Sequence, residues 1–163
     1  MLARCLSCCA VLISLAFPLA AQASHPDFSG TWVLDASKTV VDGQMEAPSA
    51  VTFTVVQLGD SLSIDEKVTG SWGEQALKKV WKVDGKVWPS SFSYGGVPMT
   101  LSTTLHWNGA VLMMHTTSDY QGNAVEQSET WTLSPDGKTL TDTTSTSANG
   151  DYYSSVTLVL NKQ

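Results

Sequence analysis

Beyond position 9 the chain has no cysteine, and beyond position 4 it has no arginine. Cys5, Cys8 and Cys9 all fall in the first nine residues, so the remainder has no disulfide framework, no thiol nucleophile and no cysteine-based metal site. Eight lysines, the nine basic residues less Arg4, stand against fifteen acids, which gives residues 24–163 a net charge of −7. An acidic, arginine-free surface excludes the basic patches that nucleic acid and anionic membranes require. A Gly-rich phosphate loop, a His/Glu zinc motif and a Ser-His-Asp order are all missing, so the sequence calls for no cofactor and no metal. After residue 23 no apolar run approaches the roughly 20 residues of a membrane span. No stretch there has helical periodicity either.

The amino-terminal segment has its own grammar. Arg4 supplies a short basic region, Ala10 to Ala20 (AVLISLAFPLA) an apolar core, and Ala21-Gln22-Ala23 a small-x-small cleavage pattern. This order is that of a secretory signal peptide. Its apolar core is about half the length of a spanning helix. We therefore expect a signal peptide over 1–23, cleavage after Ala23, and a single mature domain over 24–163 that is periplasmic or secreted. The cysteines precede the apolar core, whereas a lipoprotein's modified cysteine follows it.

The mature segment reads as a train of hairpins. Asn-Gly, Asp-Gly and Gly-Asp/Asn pairs recur at 59–60, 84–85, 108–109, 122–123, 136–137 and 149–150. Both residues of such pairs tolerate the positive φ that two-residue hairpin turns demand. Between them lie ten alternating runs, near 30–35, 51–57, 61–68, 74–83, 86–94, 99–107, 110–118, 124–133, 138–146 and 151–161. Each run has an apolar face. Val51, Phe53, Val55, Leu62 and Ile64 share one side, and Trp131 and Leu133 share another. With a two-residue turn at Asp84-Gly85, Trp81 falls opposite Trp88 and Leu77 opposite Phe92. Ten strands in an open meander leave bare edges, and closure removes them. The expected fold is all-β: a single antiparallel up-and-down β-barrel of about 8–10 strands, with a two-sheet sandwich as the competing arrangement. The long gap from Lys38 to Ala50 is placed to cover one mouth.

Asp27-Phe28-Ser29-Gly30-Thr31-Trp32-Val33-Leu34 resembles the opening strand of the lipocalin-like proteins of the calycin superfamily, with its Gly-x-Trp signature at Gly30 and Trp32. The run Thr130 to Leu140 (TWTLSPDGKTL) looks like the late hairpin of uncharacterised bacterial exported proteins of that group. The resemblance implies structural roles for Gly30 and Trp32, with Trp32 closing the bottom of the barrel under a basic side chain of the last strand. That group usually has arginine there. This chain offers Lys162, which can cover the ring by a cation–π contact.

Candidate chemistry is sparse. With a two-residue Asn108-Gly109 turn, His106 and His115 share a face but stand about 13 Å apart at about 3.3 Å per residue, too far for one metal. His25, near the expected new amino terminus, is read as mobile. Glu129 and Gln127 share a side with Trp131, so Glu129 is a polar anchor for a ligand, a general acid/base, a satisfied polar pair near an open end, or outward after a β-bulge. Trp81, Trp88, Phe92, Tyr94 and Trp107 are core residues first, and become pocket walls only where the barrel is incompletely packed. The expected function is binding of a small apolar or amphipathic molecule by a monomeric barrel, with Trp81, Trp88, Phe92, Tyr94, Trp107, Gln127 and Glu129 as the lining. The competing readings are an enzyme on the same barrel using Glu129 with a histidine or tyrosine, and an envelope interaction module presenting Val111 and Met113.

Overall fold

The computed structural model describes residues 25–94 and 96–163, with Tyr94 described in its backbone alone. The export signal expected over 1–23 lies outside the described residues. Eleven strands follow one another: β1 (Gly30–Leu34), β2 (Val40–Gly43), β3 (Ala50–Leu58), β4 (Ser61–Gly70), β5 (Gly73–Lys82), β6 (Val87–Tyr94), β7 (Val97–Asn108), β8 (Val111–Tyr120), β9 (Asn123–Leu133), β10 (Thr139–Ala148) and β11 (Asp151–Lys162). A single 3-10 turn, Ala36–Lys38, is the one helical element among the described residues.

Every ladder is antiparallel, and the strands run in the order β5-β4-β3-β1-β11-β10-β9-β8-β7-β6. This is an up-and-down meander whose two runs of strands are joined by β1, which pairs with β3 on one side and β11 on the other. The alternating residues put Val51, Phe53 and Val55 of β3, Leu62 and Ile64 of β4, Leu105 of β7, Leu112 and Met114 of β8, and Trp131 of β9 in one core inside the barrel. Large inward aromatics and branched residues fill a barrel of this strand number except where polar residues interrupt them.

Two expectations need correction. The first is the hairpin at Asp84-Gly85. β5 and β6 do not pair; they are the two ends of the sheet order, so Trp81 is not a cross-strand partner of Trp88, nor Leu77 of Phe92. Trp81 pairs with Leu62, and Trp88 with Thr103. The Asp84 carboxylate accepts from the Lys86 amide at 3.0 Å and from the Trp88 indole at 3.1 Å. The Val83 amide bonds to Asp60 and that of Gly85 to Leu105. These contacts bend the link across a seam and leave the barrel nearly closed.

The second correction is β2, a short strand within the gap expected to be loop, which pairs with β11 from Val40↔Thr157 to Gly43↔Ser154. The rest of that gap does reach one mouth, where Met45, Glu46 and Pro48 overhang the interior.

The other end is shut. Trp32 is fully buried, and its indole donates to the Phe28 carbonyl at 2.8 Å. Phe28 stacks on Trp107 at 5.9 Å and meets Trp131 edge-on at 5.6 Å. His25 is docked rather than loose: its ring stacks on Trp107 at 4.4 Å, and its Nδ1 lies 3.2 Å from the Gly109 carbonyl. Gln57 ties the incoming chain down, accepting from the Phe28 amide and donating to the Pro26 carbonyl, each at 3.1 Å.

Candidate functional site

Four strands carry an ionisable residue at a position where the alternation faces it into the barrel. Leu62 and Ile64 point inward, and two residues on so does Glu66. Leu77 and Trp81 of β5 bracket Lys79. Trp131 of β9 is followed inward, two residues back, by Glu129, and Leu140 of β10 is followed by Asp142. All four line one cavity of about 220 Å³, together with Phe53, Trp81, Trp131, Gln127 and Thr144. Phe53 and Trp131 stack across the barrel at 5.4 Å and lie against the cavity on the side of the closed end. A second cavity of about 610 Å³ shares Met45, Glu46, Glu66, Val68, Trp72 and Gln127 with the first and adds Phe92 and Tyr153. The Met45–Pro48 segment lines the first of them on the side of the mouth.

The electrostatics follow from burial. The Lys79 ammonium sits 2.5 Å from a Glu66 carboxylate oxygen, with the two side chains 28% and 15% exposed. Burial opposes the Lys79 charge, but Glu66 first, then Glu129 and Asp142, outweigh it and hold its pKa up. Lys79 also lies 5.7 Å from the Trp81 ring centroid. Glu129 accepts from the Trp131 indole at 2.6 Å. Desolvation nonetheless pushes Glu129 above the usual carboxylate range, with the nearby Glu66 charge adding to it and Lys79 opposing. Asp142 is 5% exposed and shifted further up, by desolvation first and then by the Glu129 and Glu66 carboxyls. Its hydrogen bond from the Thr144 hydroxyl is long, at 3.4 Å. The interior therefore holds three carboxyls and one ammonium, with apolar rings on the remaining walls.

Of the residues singled out from the sequence, Trp81, Gln127 and Glu129 meet at the first cavity and Phe92 lines the second. Trp88 and Trp107 line neither: Trp88 is held by Asp84 at the seam, and Trp107 belongs to the aromatic stack of the closed end. The Tyr94 side chain lies outside the described residues. His106 and His115 are exposed. Val111 and Met113 are half-buried. Glu66, Lys79, Asp142 and Thr144 were not singled out, although each sits at the inward parity of its strand. The titratable groups acting on Glu129 are Lys79, Glu66 and Asp142, with no histidine or tyrosine among them.

The closed end brings Gly30, Trp32 and Lys162 together. Trp32 pairs with Lys162 across the β1–β11 ladder, and the ammonium stands 5.1 Å from the ring centroid. Gly30 has φ +137°, and a Cβ there would come within 2.6 Å of the Lys162 Cε. Glycine suits the positive φ here and leaves the lysine its path across the ring.

No protein-family model and no curated protein matches the chain. Among solved structures it is similar to a secretary abundant heat soluble (SAHS) protein from Ramazzottius varieornatus, crystallised from a dimer sample. The identity is 8% and the TM-score 0.55, over 86% of this chain and 98% of that one. Secretory abundant heat soluble protein 4 from the same organism is similar at 12% identity and a TM-score of 0.52, over 83% and 94% of the two chains. At these identities the likeness is one of β-barrel fold.

Proposed function

We propose that this chain is an exported, lipocalin-like barrel that binds one small amphipathic molecule in its interior, in the periplasm or outside the cell. The observation that carries this reading is the recess itself: a barrel shut at one end by Trp32, Phe28 and Trp107, with a cavity above them that combines aromatic walls and buried ionisable groups. Ligand sites have this composition, mostly apolar with a few convergent polar groups. The size argues for a compact ligand. A cavity of about 150 Å³ takes up benzene, so about 220 Å³ suits one ring with a short substituent.

A folding role alone explains the polar cluster poorly. Replacing buried ion pairs by apolar residues of similar volume is often neutral or stabilising. Three carboxyls facing a cavity therefore cost stability that the closed end does not require.

The test is native mass spectrometry of the protein purified from its source organism, with organic extraction of the same sample. One co-purifying small molecule at unit stoichiometry is expected. Bare protein, together with failure of compact aromatic probes to bind the purified chain, would overturn the reading.

A further inference from the structure

We propose that the cavity selects a small organic cation, a primary ammonium on a compact aromatic or apolar body, and holds that ammonium between Glu129 and Asp142. This rests on the reading of the barrel interior as a small-molecule site.

The argument starts from charge matching. Lys79 is the one basic side chain among the residues lining either cavity, and it is committed to Glu66 at 2.5 Å. Glu129 keeps a single neutral donor, the Trp131 indole at 2.6 Å. Asp142 is 5% exposed, faces the cavity, and receives a hydroxyl on Oδ1 alone, at 3.4 Å. An ionised carboxylate accepts at about four lone-pair sites, so two acids here are under-satisfied in a buried place. Such groups either keep a proton or take a cation.

The register puts both acids within reach of one guest. Glu129 pairs with Thr144, and Trp131 with Asp142, so the acids are diagonal neighbours on one face of β9 and β10. Diagonal neighbours stand about 7–8 Å apart at the backbone, close enough for two side chains to converge. An ammonium brings three donors, and the faces of Trp131, Phe53 and Trp81 receive the attached body while favouring positive charge nearby. An anionic ligand would face the Glu66, Glu129 and Asp142 carboxyls, with the sole ammonium already paired. A neutral one would offer the two acids at most a single hydroxyl.

The experiment is calorimetric titration of the chain from residue 24 onward, near neutral pH, with three probes of matched shape: 2-phenylethylammonium, 2-phenylethanol and 3-phenylpropanoate. The cation should bind at least about tenfold more tightly than the alcohol, a factor equivalent to about 1.4 kcal/mol, and the carboxylate most weakly. Asp142→Asn and Glu129→Gln, which preserve shape, should each remove most of that preference. If the alcohol binds as well as the cation, or the carboxylate binds better, or both variants keep the preference, the cation inference is overturned while the cavity reading stands. If none of the three probes binds, the cation inference falls, and the cavity reading falls with it when the protein also purifies bare.

Discussion

Asp142 lies directly opposite Trp131 in the β9–β10 ladder, and two residue pairs further along Glu129 accepts the Trp131 indole hydrogen. The indole that walls the cavity thus also anchors one of its two under-satisfied acids. The relationship ties ligand contact, protonation and core packing to a single stretch of sheet.

Stability should therefore depend on pH through Asp142. Burial and its acidic neighbours raise its pKa in the folded chain, so the native state keeps a proton that the unfolded state has released. Stability is then full below the ordinary carboxylate range and falls as pH rises toward the raised value. Asp142→Asn removes this dependence. Its advantage over the parent should grow by up to about 1.4 kcal/mol per pH unit within that window. Urea denaturation at pH 5 and pH 8 checks this. An advantage that is the same at both values would contradict it. Glu129, raised for the same reason, preserves part of the slope in the variant.

Lys79 should be the costliest member of the polar cluster to remove. Lys79→Met strips the ammonium from Glu66 and leaves three buried carboxyls together. Breaking a buried pair from one side costs about 3–5 kcal/mol. The double variant Lys79→Met with Glu66→Gln should be more stable than Lys79→Met alone, since the orphaned charge is gone. Chemical denaturation of the two variants decides it, and a double variant weaker than the single one would show that Glu66 serves another partner.

At the closed end, Trp32→Ala should cost roughly 3–5 kcal/mol, the range for deleting a buried large aromatic. Lys162→Ala should cost far less, about 0.5–1 kcal/mol for an exposed cation over a ring. Gly30→Ala should be worse than Lys162→Ala, because its Cβ displaces the same lysine while straining a backbone at φ +137°. Thermal melts of the three variants give the order. Loss of ligand binding without loss of stability in Trp32→Ala would move Trp32 from the floor of the fold into the site.

Much of this architecture is legible in the sequence, and the exceptions have physical causes. Alternation reveals ten strands because each has one side in the core, and the Asn-Gly and Asp-Gly pairs mark their turns. β2 escapes because Val40–Gly43 is four residues long and pairs only with β11. The Asp84-Gly85 link imitates a hairpin in composition, but Asp84 spends its carboxylate on Lys86 and Trp88, and the chain crosses a seam. The polar cluster was readable in principle. Glu66, Lys79 and Asp142 continue the inward parity of Ile64, Trp81 and Leu140, and attention to apolar residues alone passes over them. That the Glu66–Lys79 pair of β4 and β5 meets the Glu129–Asp142 pair of β9 and β10 depends on β1, which joins β3 to β11, and no local pattern encodes that.

The seam makes a prediction about dynamics. β5 pairs only with β4, and β6 only with β7, so each has one unbonded edge. Amides on those edges should exchange with solvent well before the β9 and β10 amides, which are flanked on both sides. Hydrogen exchange resolved by residue tests this, and uniform protection around the barrel would mean that β5 and β6 pair in solution.

The most direct test of the central claim is to fill the cavity and look for loss of binding. Thr144 faces the cavity from β10 beside Asp142 and is half-buried. Thr144→Phe should occupy the space while the chain still folds, shown by a cooperative melt. In a calorimetric titration with 2-phenylethylammonium, the parent should bind one equivalent and Thr144→Phe should bind at least about tenfold more weakly, a loss of about 1.4 kcal/mol. Equal binding by a folded Thr144→Phe variant would place the guest outside the barrel and contradict the account.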